Sequence, residues 1–293
     1  MPTDFHYLLE EAVELHVHSS PSLFPRRQSD WELIHDVKQA KMAGVVIKSH
    51  ESQTVDRANV IQEKEPNIKV YGGLVCNHFT GGLSPITVDT AIQLGAKIIW
   101  MPTFSAEEHQ RYFGKKQTKF FNSDKKLGHT HGLQIWDENK KILNEVHEIL
   151  SLIGEANIIL ATGHLSPMEV KVLVNAAKEH KVEKILIQHV DLGIAPIPFT
   201  LQKELVQKGC ILEKCYLACG EDFKDISKRK MAESIKLLGA NSCVMVTDYG
   251  QSHNIRPIIA LSNFVGDMLQ EGITPIEIRK MIVRNPKQLL GFN

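Results

Sequence analysis

One short stretch near the N-terminus decides how the rest of the sequence is interpreted: Val13-Glu14-Leu15-His16-Val17-His18-Ser19-Ser20-Pro21. Its first half is apolar-rich and alternating, which predicts a β-strand of period two. Residues two apart on a strand point to the same face, so His16 and His18 project together just before Ser-Ser-Pro ends the strand. Neutral imidazole is a good ligand for zinc and neighbouring transition metals, so this pair is half of a metal site. On this motif alone, a strand with two polar residues on its solvent face explains the pattern equally well.

The bulk composition excludes several classes of partner. The chain has 293 residues with 34 basic and 34 acidic side chains, so no charge excess favours nucleic acid or an anionic membrane. No apolar stretch reaches the ~20 residues of a membrane span, and the N-terminus does not read as a secretory signal. The five cysteines are an odd number in apolar settings, which favours reduced thiols and a cytoplasmic location. Cys215 and Cys219 have the spacing of half a zinc knuckle, but no second pair follows.

Eight short apolar runs alternate with helical patterns along the chain. Several consist almost entirely of Val, Ile and Leu, as expected for parallel strands covered on both faces. Strand then helix, repeated eight times, predicts an α/β fold: a (β/α)8 TIM barrel in which residues 1–293 form a single domain. A doubly wound sheet is the alternative, but it requires a Gly-rich turn after the first strand, where this chain has Ser-Ser-Pro-Ser. The runs are residues 12–18, 45–49, 69–76, 96–101, 157–162, 184–189, 210–213 and 242–247.

Capping residues mark where the helices between these runs begin. Asp30 is predicted to cap a helix over residues 30–43, and Thr54 one over residues 54–63. Ser166-Pro167-Met168-Glu169 and Thr274-Pro275-Ile276-Glu277 each combine a cap, a proline in the first turn and an acid three residues after the cap. Further helical patterns cover residues 84–94, 140–154, 201–208, 226–238 and 258–270.

Residues 104–139 break this rhythm and form an inserted loop after the fourth strand. The segment contains basic pairs, several Phe residues and a second histidine pair, His129-Thr130-His131. A loop of this length inside a barrel is usually a lid or a binding loop. The alternative is a solvated excursion with a small hairpin.

The carboxyl ends of the predicted strands carry ligand-type side chains. In a TIM barrel the active site lies at this end, so we expect these side chains to meet at one mouth. A single histidine at a strand end is often a polar cap on the core, but five convergent residues favour a metal site. Nitrogen-rich ligation with one carboxylate suits Zn²⁺, Mn²⁺, Fe²⁺ or Ni²⁺ better than Mg²⁺ or Ca²⁺. The five residues are His16 and His18 after the first strand, His164 after the fifth, His189 after the sixth and Asp248 after the eighth.

This layout resembles that of the amidohydrolase superfamily, whose members are metal-dependent hydrolase barrels. More narrowly, nearly the whole chain is similar to an uncharacterised amidohydrolase-like domain family of unknown function. The resemblance is specific for fold and metal and weak for substrate. It is carried by residues 16–22 (HVHSSPS), 47–52 (IKSHES), 81–83 (GGL), 100–103 (WMPT), 161–166 (ATGHLS) and 285–291 (NPKQLLG).

The resemblance implies a role for each of the five residues. His16 and His18 would hold the more buried metal, His164 and His189 a second metal, and Asp248 would be both a ligand and the base that takes the proton of the bridging water. With one metal, His189 would act as a catalytic group rather than as a ligand.

One departure from the superfamily pattern bears on the number of metal ions. Binuclear members usually place a bridging carboxylated lysine or a glutamate at the end of the fourth strand, where this chain has Met101-Pro102-Thr103. Either one ion binds, or another residue bridges two. Lys48 and His50, at the end of the second strand, are the candidates. Lys48 could be carboxylated, or could bind an acidic substrate as a cation. Its alternative is an ion pair with Glu51 or Glu213.

Four further residues near the predicted mouth are candidates for substrate binding. His50 follows the second strand and is weakly similar to a metal motif of the polymerase-and-histidinol-phosphatase barrels. His78 precedes a Gly-Gly turn, and Thr103 ends the fourth strand. Arg26 suits a carboxylate or phosphate on the substrate, with solvated surface charge as the alternative.

We expect an enzyme that hydrolyses a small substrate with a metal-activated water, with zinc as the first candidate for the cofactor and one or two ions bound. The resemblance favours a C–N bond in an amide, lactam or cyclic imide of an anionic substrate. The alternatives are a phosphoesterase, a decarboxylase, and a barrel that binds a metal or ligand without catalysis. Members of the superfamily commonly associate through outer helices, which implies a homo-oligomer.

Overall fold

The computed structural model describes residues 6–115 and 131–292 of the chain. The lysines at positions 116, 119, 125 and 126, and His129, which the sequence singled out in the insertion, lie outside these residues.

The described strands form two parallel sheets. One has the order β1-β2-β3 and the other the order β4-β5-β6-β7-β8-β9, so neighbours in each sheet are also neighbours in sequence. This order lacks the reversal that defines a doubly wound sheet. The strands are β1 (Val13–Val17), β2 (Gly44–Ile47), β3 (Lys69–Tyr71), β4 (Gly73–Val75), β5 (Ile98–Trp100), β6 (Ile159–Ala161), β7 (Ile185–Ile187), β8 (Ile211–Cys215) and β9 (Cys243–Val246).

Helices separate most of the strands and cover the sheets. Their apolar faces pack with the strands into one buried cluster, and a second cluster is formed mainly by strand residues. None of the described helices combines the length and the apolar composition that crossing a membrane requires. The helices are α1 (His6–Leu9), α2 (Asp30–Gln39), α3 (Val55–Lys64), α4 (Pro85–Gln93), α5 (Glu107–Lys115), α6 (Asn144–Ala156), α7 (Pro167–Glu179), α8 (Phe199–Gln207), α9 (Lys228–Leu238), α10 (Pro257–Gln270), α11 (Pro275–Arg279) and α12 (Asn285–Leu290), the last two joined by a π-helical turn, Lys280–Arg284.

The third predicted run, residues 69–76, is two strands rather than one. The break falls at Gly72, where an added Cβ would lie 2.4 Å from the carbonyl oxygen of Thr54. The Thr54 hydroxyl donates to the carbonyl of Ile47 at 2.7 Å and accepts from the amide of Gly73 at 3.0 Å. The Thr54 hydroxyl therefore takes the place of a backbone hydrogen bond that a continuous strand would form here. The strand β3 pairs with β2, and β4 pairs with β5.

One predicted helix cap is wrong, and a second is correct in position but makes no capping hydrogen bond. The cap of α2 is Ser29, which forms a reciprocal capping box with Glu32, and not Asp30. The Asp30 carboxylate instead accepts two hydrogen bonds from Arg57 and one from Ser19. Thr54 stands at the cap position of α3, but its side chain makes no capping hydrogen bond because it is committed to the strands. The capping boxes predicted at Ser166 and Thr274 are confirmed.

The carboxyl ends of β1 and β9 are joined by backbone hydrogen bonds. The Asp248 amide donates to the His16 carbonyl at 2.9 Å, and the His18 amide donates to the Tyr249 carbonyl at 2.9 Å. A β-bulge between Glu14 and Val17 shifts the register of β1 against β2 at this level. The buried Glu14 carboxylate spans the gap by accepting from the His16 and Thr247 amides.

The insertion is not entirely a loop. Its first part contains α5, and Ala106 and Leu133 form an isolated β-bridge that brings the two ends of residues 106–133 together. The prediction of a lid also concerns residues 116–130, which lie outside the described residues.

The reassigned cap of α2 gives a stability prediction. Ser29→Ala removes the acceptor for the Glu32 amide and should lower the free energy of unfolding by about 1 kcal/mol, measured by urea denaturation. Ser29→Asp, which restores an acceptor, should leave it nearly unchanged. Equal stability of the wild type and the alanine variant would contradict the assignment.

Candidate metal centre

Three side chains converge at the junction of β1 and β9. Asp248 Oδ1 lies 2.9 Å from His16 Nε2 and 3.1 Å from His18 Nε2. Among residues 6–115 and 131–292 these three form the group of ligand-type atoms that could hold a metal ion, with those atoms within 4.8 Å of one another. All three residues are buried. Cys215 and Cys219, whose spacing is that of half a zinc knuckle, do not belong to this group.

The outer nitrogens of both histidines are engaged by acceptors. His16 Nδ1 lies 2.9 Å from Oε1 of the buried Glu213, and His18 Nδ1 lies 3.0 Å from the carbonyl oxygen of Lys48. A proton on each Nδ1 satisfies these acceptors, so that in the neutral form of each ring the electron pair of Nε2 can bind a metal ion. Metal-binding histidines in proteins are oriented in this way. Two imidazole nitrogens and a carboxylate oxygen therefore fit a divalent transition metal.

The buried charges shift the pKa values of these groups in opposite directions. Burial acts to lower the pKa of His16, but Asp248 and Glu213 outweigh it and raise the pKa to about 9. Burial lowers the pKa of His18 to about 3, with the nearby Arg26 adding to the effect. Burial acts to raise the pKa of Asp248, but its two imidazole neighbours hold that pKa well below its usual range.

His189 and His164 lie beside this group. The His189 ring centroid is 6.3 Å from that of His16 and 4.8 Å from that of His164. His189 is fully buried, and neither of its ring nitrogens has a hydrogen-bond partner among the described residues. Glu213 Oε2 and both amide atoms of Gln188 are buried without a partner there as well. Buried polar atoms without partners are unfavourable, so they indicate a place where a ligand or ion completes the structure.

Lys48 extends into the same cluster. Its Nζ lies 3.0 Å from His16 Nε2 and 5.3 Å from the centre of the Trp100 ring. Burial lowers the pKa of Lys48 to about 8, although Asp248 and Glu213 act to raise it. The alternative partner Glu51 is committed elsewhere, since its Oε1 accepts from the Ser22 hydroxyl and the Leu23 amide.

The four residues expected to bind substrate occupy different positions. His50 is buried and its Nδ1 lies 2.9 Å from the Thr103 hydroxyl, which also accepts from Asn77. Thr103 therefore orients His50. His78 is partly exposed, and its Nε2 lies 2.9 Å from the carbonyl oxygen of His131. Arg26 donates from Nε to the Ser22 hydroxyl at 3.0 Å, and burial lowers its pKa.

His109 is a residue of this site that the sequence analysis did not select. It lies on α5, is buried, and places its Nδ1 2.6 Å from His164 Nδ1 with the two rings stacked. The available signal was the short helical pattern in which His109, Tyr112 and Phe113 share one face behind Glu107-Glu108. Of the histidine pair that the sequence indicated in the insertion, His129 lies outside the described residues, and the carbonyl oxygen of His131 lies 2.9 Å from His78 Nε2.

Seven aromatic side chains form a closed circuit of ring contacts around the mouth. Phe104, also not selected from the sequence, completes the circuit between His50 and His109. The successive centroid distances are 5.4 Å for His18–His16, 6.3 Å for His16–His189, 4.8 Å for His189–His164, 4.8 Å for His164–His109, 4.9 Å for His109–Phe104, 3.8 Å for Phe104–His50 and 4.7 Å for His50–His18.

Solved structures with the same fold cover almost the whole chain. An amidohydrolase from Pseudomonas aeruginosa aligns with a TM-score of 0.60 at 11% identity, covering 99% of this chain and 98% of that one. A phosphotriesterase homology protein from Escherichia coli aligns at 0.56 and 11% identity, covering 96% and 99%. A 2,6-dihydroxybenzoate decarboxylase from Rhizobium aligns at 0.58 and 12% identity, covering 96% and 99%. At such identities the likeness shows the fold alone.

The expected resemblance is confirmed at the level of the fold: the mixed α/β fold with parallel sheets is shared with these solved structures, one of which is an amidohydrolase. No curated protein sequence matches the chain. A family model matches residues 11–213, from before the His16–His18 pair to Glu213. The chain belongs to this family, described as a family of unknown function (DUF6282).

Proposed function

We propose that the chain is a metal-dependent hydrolase that acts on a small, anionic substrate. The observation that carries this proposal is the convergence of His16, His18 and Asp248, with each histidine turned by an acceptor on its Nδ1. Such an arrangement is costly to bury without a cation, because polar atoms and charges are removed from water.

His16, His18 and Asp248 would hold a divalent transition metal, with zinc as the first candidate. His164 and His189 would hold a second ion, or would bind substrate beside a single one. When bound, the metal would supply a water whose pKa falls from near 16 toward ~7 and an electrophile for the scissile bond.

Asp248 would transfer the proton during the reaction. Its carboxylate stays ionised because its pKa is depressed, so one of its oxygens accepts a proton from the attacking water and returns it to the leaving group. Asp248 is the second residue after the end of β9, and its backbone is left-handed, with φ of 57°.

An anionic group on the substrate would meet cations at the mouth. Lys48 reaches His16 from the end of β2, and Arg26 is near enough to His18 to depress its pKa. Guanidinium and ammonium groups recognise carboxylates and phosphates. We propose a C–N bond of an amide, lactam or cyclic imide as the bond that is cleaved.

Decarboxylation of an anionic substrate is the second candidate. It is favoured by the end of β5, where Thr103 is committed to His50 and Asn77 and offers no carboxylate to bridge two ions. A single ion beside a buried cation suits loss of a carboxylate as well as hydrolysis.

The remaining parts of the proposal concern architecture. We propose that residues 1–293 are one domain and that the two sheets are parts of one closed (β/α)8 barrel. Support comes from the β1–β9 hydrogen bonds and from the single residue, Gly72, between β3 and β4. We also propose that residues 104–139 act as a lid on the mouth, since α5 contributes His109 to it.

Metal binding should stabilise the folded protein. Zn²⁺ at about 100 times its dissociation constant should add about 2.7 kcal/mol to the free energy of unfolding of the metal-free protein, seen as a higher thermal midpoint. Mg²⁺ should have little effect. His18→Asn should remove most of the Zn²⁺ effect, and His35→Asn, an exposed position on α2, should preserve it. A Zn²⁺ effect that survives His18→Asn would place the metal elsewhere.

Asp248→Asn separates metal binding from turnover. The amide keeps an oxygen for the metal but cannot take a proton, so metal content should remain while turnover falls by at least about 100-fold. The assay uses a panel of small amides, cyclic imides, lactones, phosphoesters and aromatic carboxylates at several metal loadings. Asp56→Asn, an exposed carboxylate on α3, is the matched control. Unchanged turnover in Asp248→Asn is the outcome that rejects the proposal.

Glu213 should set metal affinity without binding the metal. Glu213→Gln replaces the charged acceptor of His16 Nδ1 by a neutral one and should weaken zinc binding by about 10-fold, measured by chelator competition. Glu155→Gln, an exposed carboxylate on α6, should bind zinc like the wild type. Equal affinities for the three proteins would show that Glu213 does not orient the ligand.

A further inference from the structure

The insertion contributes a buried side chain directly to the proposed metal centre. His109 on α5 and His164 after β6 are 6% and 3% exposed, and their rings are stacked with centroids 4.8 Å apart and planes at 15°. The two Nδ1 atoms lie 2.6 Å apart. Two nitrogens this close share one proton, since each neutral imidazole has one N–H and one bare nitrogen.

The position of this proton decides what His164 can do. With the proton on His164 Nδ1, the His164 Nε2 is a bare electron-pair donor that can bind a cation. With the proton on His109 Nδ1, the His164 Nε2 carries its own proton and cannot be a ligand. The contact with His109 therefore determines which tautomer His164 adopts.

Packing holds His109 in place for this contact. Its ring contacts the rings of Phe104 and Phe113, with centroid distances of 4.9 Å and 4.5 Å. The start of α5 is fixed by a hydrogen bond of 3.0 Å from the Glu107 amide to the Leu133 carbonyl. A ring packed against two phenyl groups on an anchored helix is a preorganised acceptor.

Two further imidazoles of the mouth, those of His16 and His18, also have an acceptor at Nδ1. His16 Nδ1 faces the Glu213 carboxylate, and His18 Nδ1 faces the Lys48 carbonyl, so that both Nε2 atoms are turned toward Asp248. We propose that His109 is the third such acceptor: a positioning residue that takes the Nδ1–H of His164 and thereby frees His164 Nε2 for a metal. The proposal rests on the proposed function in that His164 is one of its ligands.

This role makes the insertion part of the metal site. Since the acceptor for His164 lies on α5, any displacement of α5 removes it and lowers the affinity of the site. Metal binding and the position of α5 are then coupled, and each stabilises the other.

The experiment compares His109→Asn with His109→Leu in the full chain. The two replacements have similar size, but Asn can place an amide oxygen near the position of Nδ1, whereas Leu has no acceptor. We expect His109→Leu to weaken Zn²⁺ binding by about 10- to 100-fold in chelator competition, and His109→Asn to restore most of it. Thermal midpoints of the metal-free variants show that both fold. Equal loss in both variants, or no loss in either, overturns the proposal.

A second readout does not depend on metal. In the metal-free wild type, ¹⁵N spectra of the histidine rings should show His164 protonated on Nδ1, and His109→Leu should shift it toward Nε2 protonation. Protonation of wild-type His164 on Nε2 overturns the proposal. If the wild type binds no Zn²⁺, the proposed function fails, while these spectra still decide whether His109 sets the tautomer.

Discussion

One carboxylate oxygen organises the mouth of this protein. Oδ1 of Asp248 lies within hydrogen-bonding distance of Nε2 of both His16 and His18, and all three groups are buried. The backbone of the same residues holds the ends of β1 and β9 together, through the Asp248 amide and the His16 carbonyl. The contact that joins the first and last strands is thus also the contact that builds the site. A change that weakens the contact between the two strands must therefore also disturb the site. This coupling explains why so many polar groups can be buried at this point.

The acceptors behind the ligand atoms are as informative as the ligand atoms themselves. Glu213 and the Lys48 carbonyl turn the rings of His16 and His18, and His109 is placed to do the same for His164. Each acceptor comes from a different part of the chain: β8, the end of β2, and the insertion. The fold therefore favours protonation at Nδ1 as well as fixing the position of each ring, and this orients Nε2 toward a bound ion.

Much of the site could be predicted from the sequence, because the carboxyl ends of parallel strands meet at one edge. That rule placed His16, His18, His164, His189 and Asp248 in one neighbourhood. What it could not supply depends on tertiary docking. The docking of α5 turns His109 of the insertion inward, and no residue pattern at the end of a strand predicts this. The division of the third predicted strand depends on the Thr54 side chain and on the close approach that Gly72 permits. The cap of α2 is Ser29 rather than Asp30, because the Asp30 carboxylate is bound to Arg57.

X-ray absorption spectroscopy at the zinc edge of the zinc-loaded protein tests the central claim most directly. The account predicts a shell of nitrogen and oxygen at ~2.0–2.1 Å with the outer scattering of at least two imidazoles, and this pattern should be lost in a protein that lacks His16 and His18. Sulfur at ~2.3 Å, which would implicate Cys215 or Cys219, or a spectrum unaffected by removing the two histidines, would contradict it.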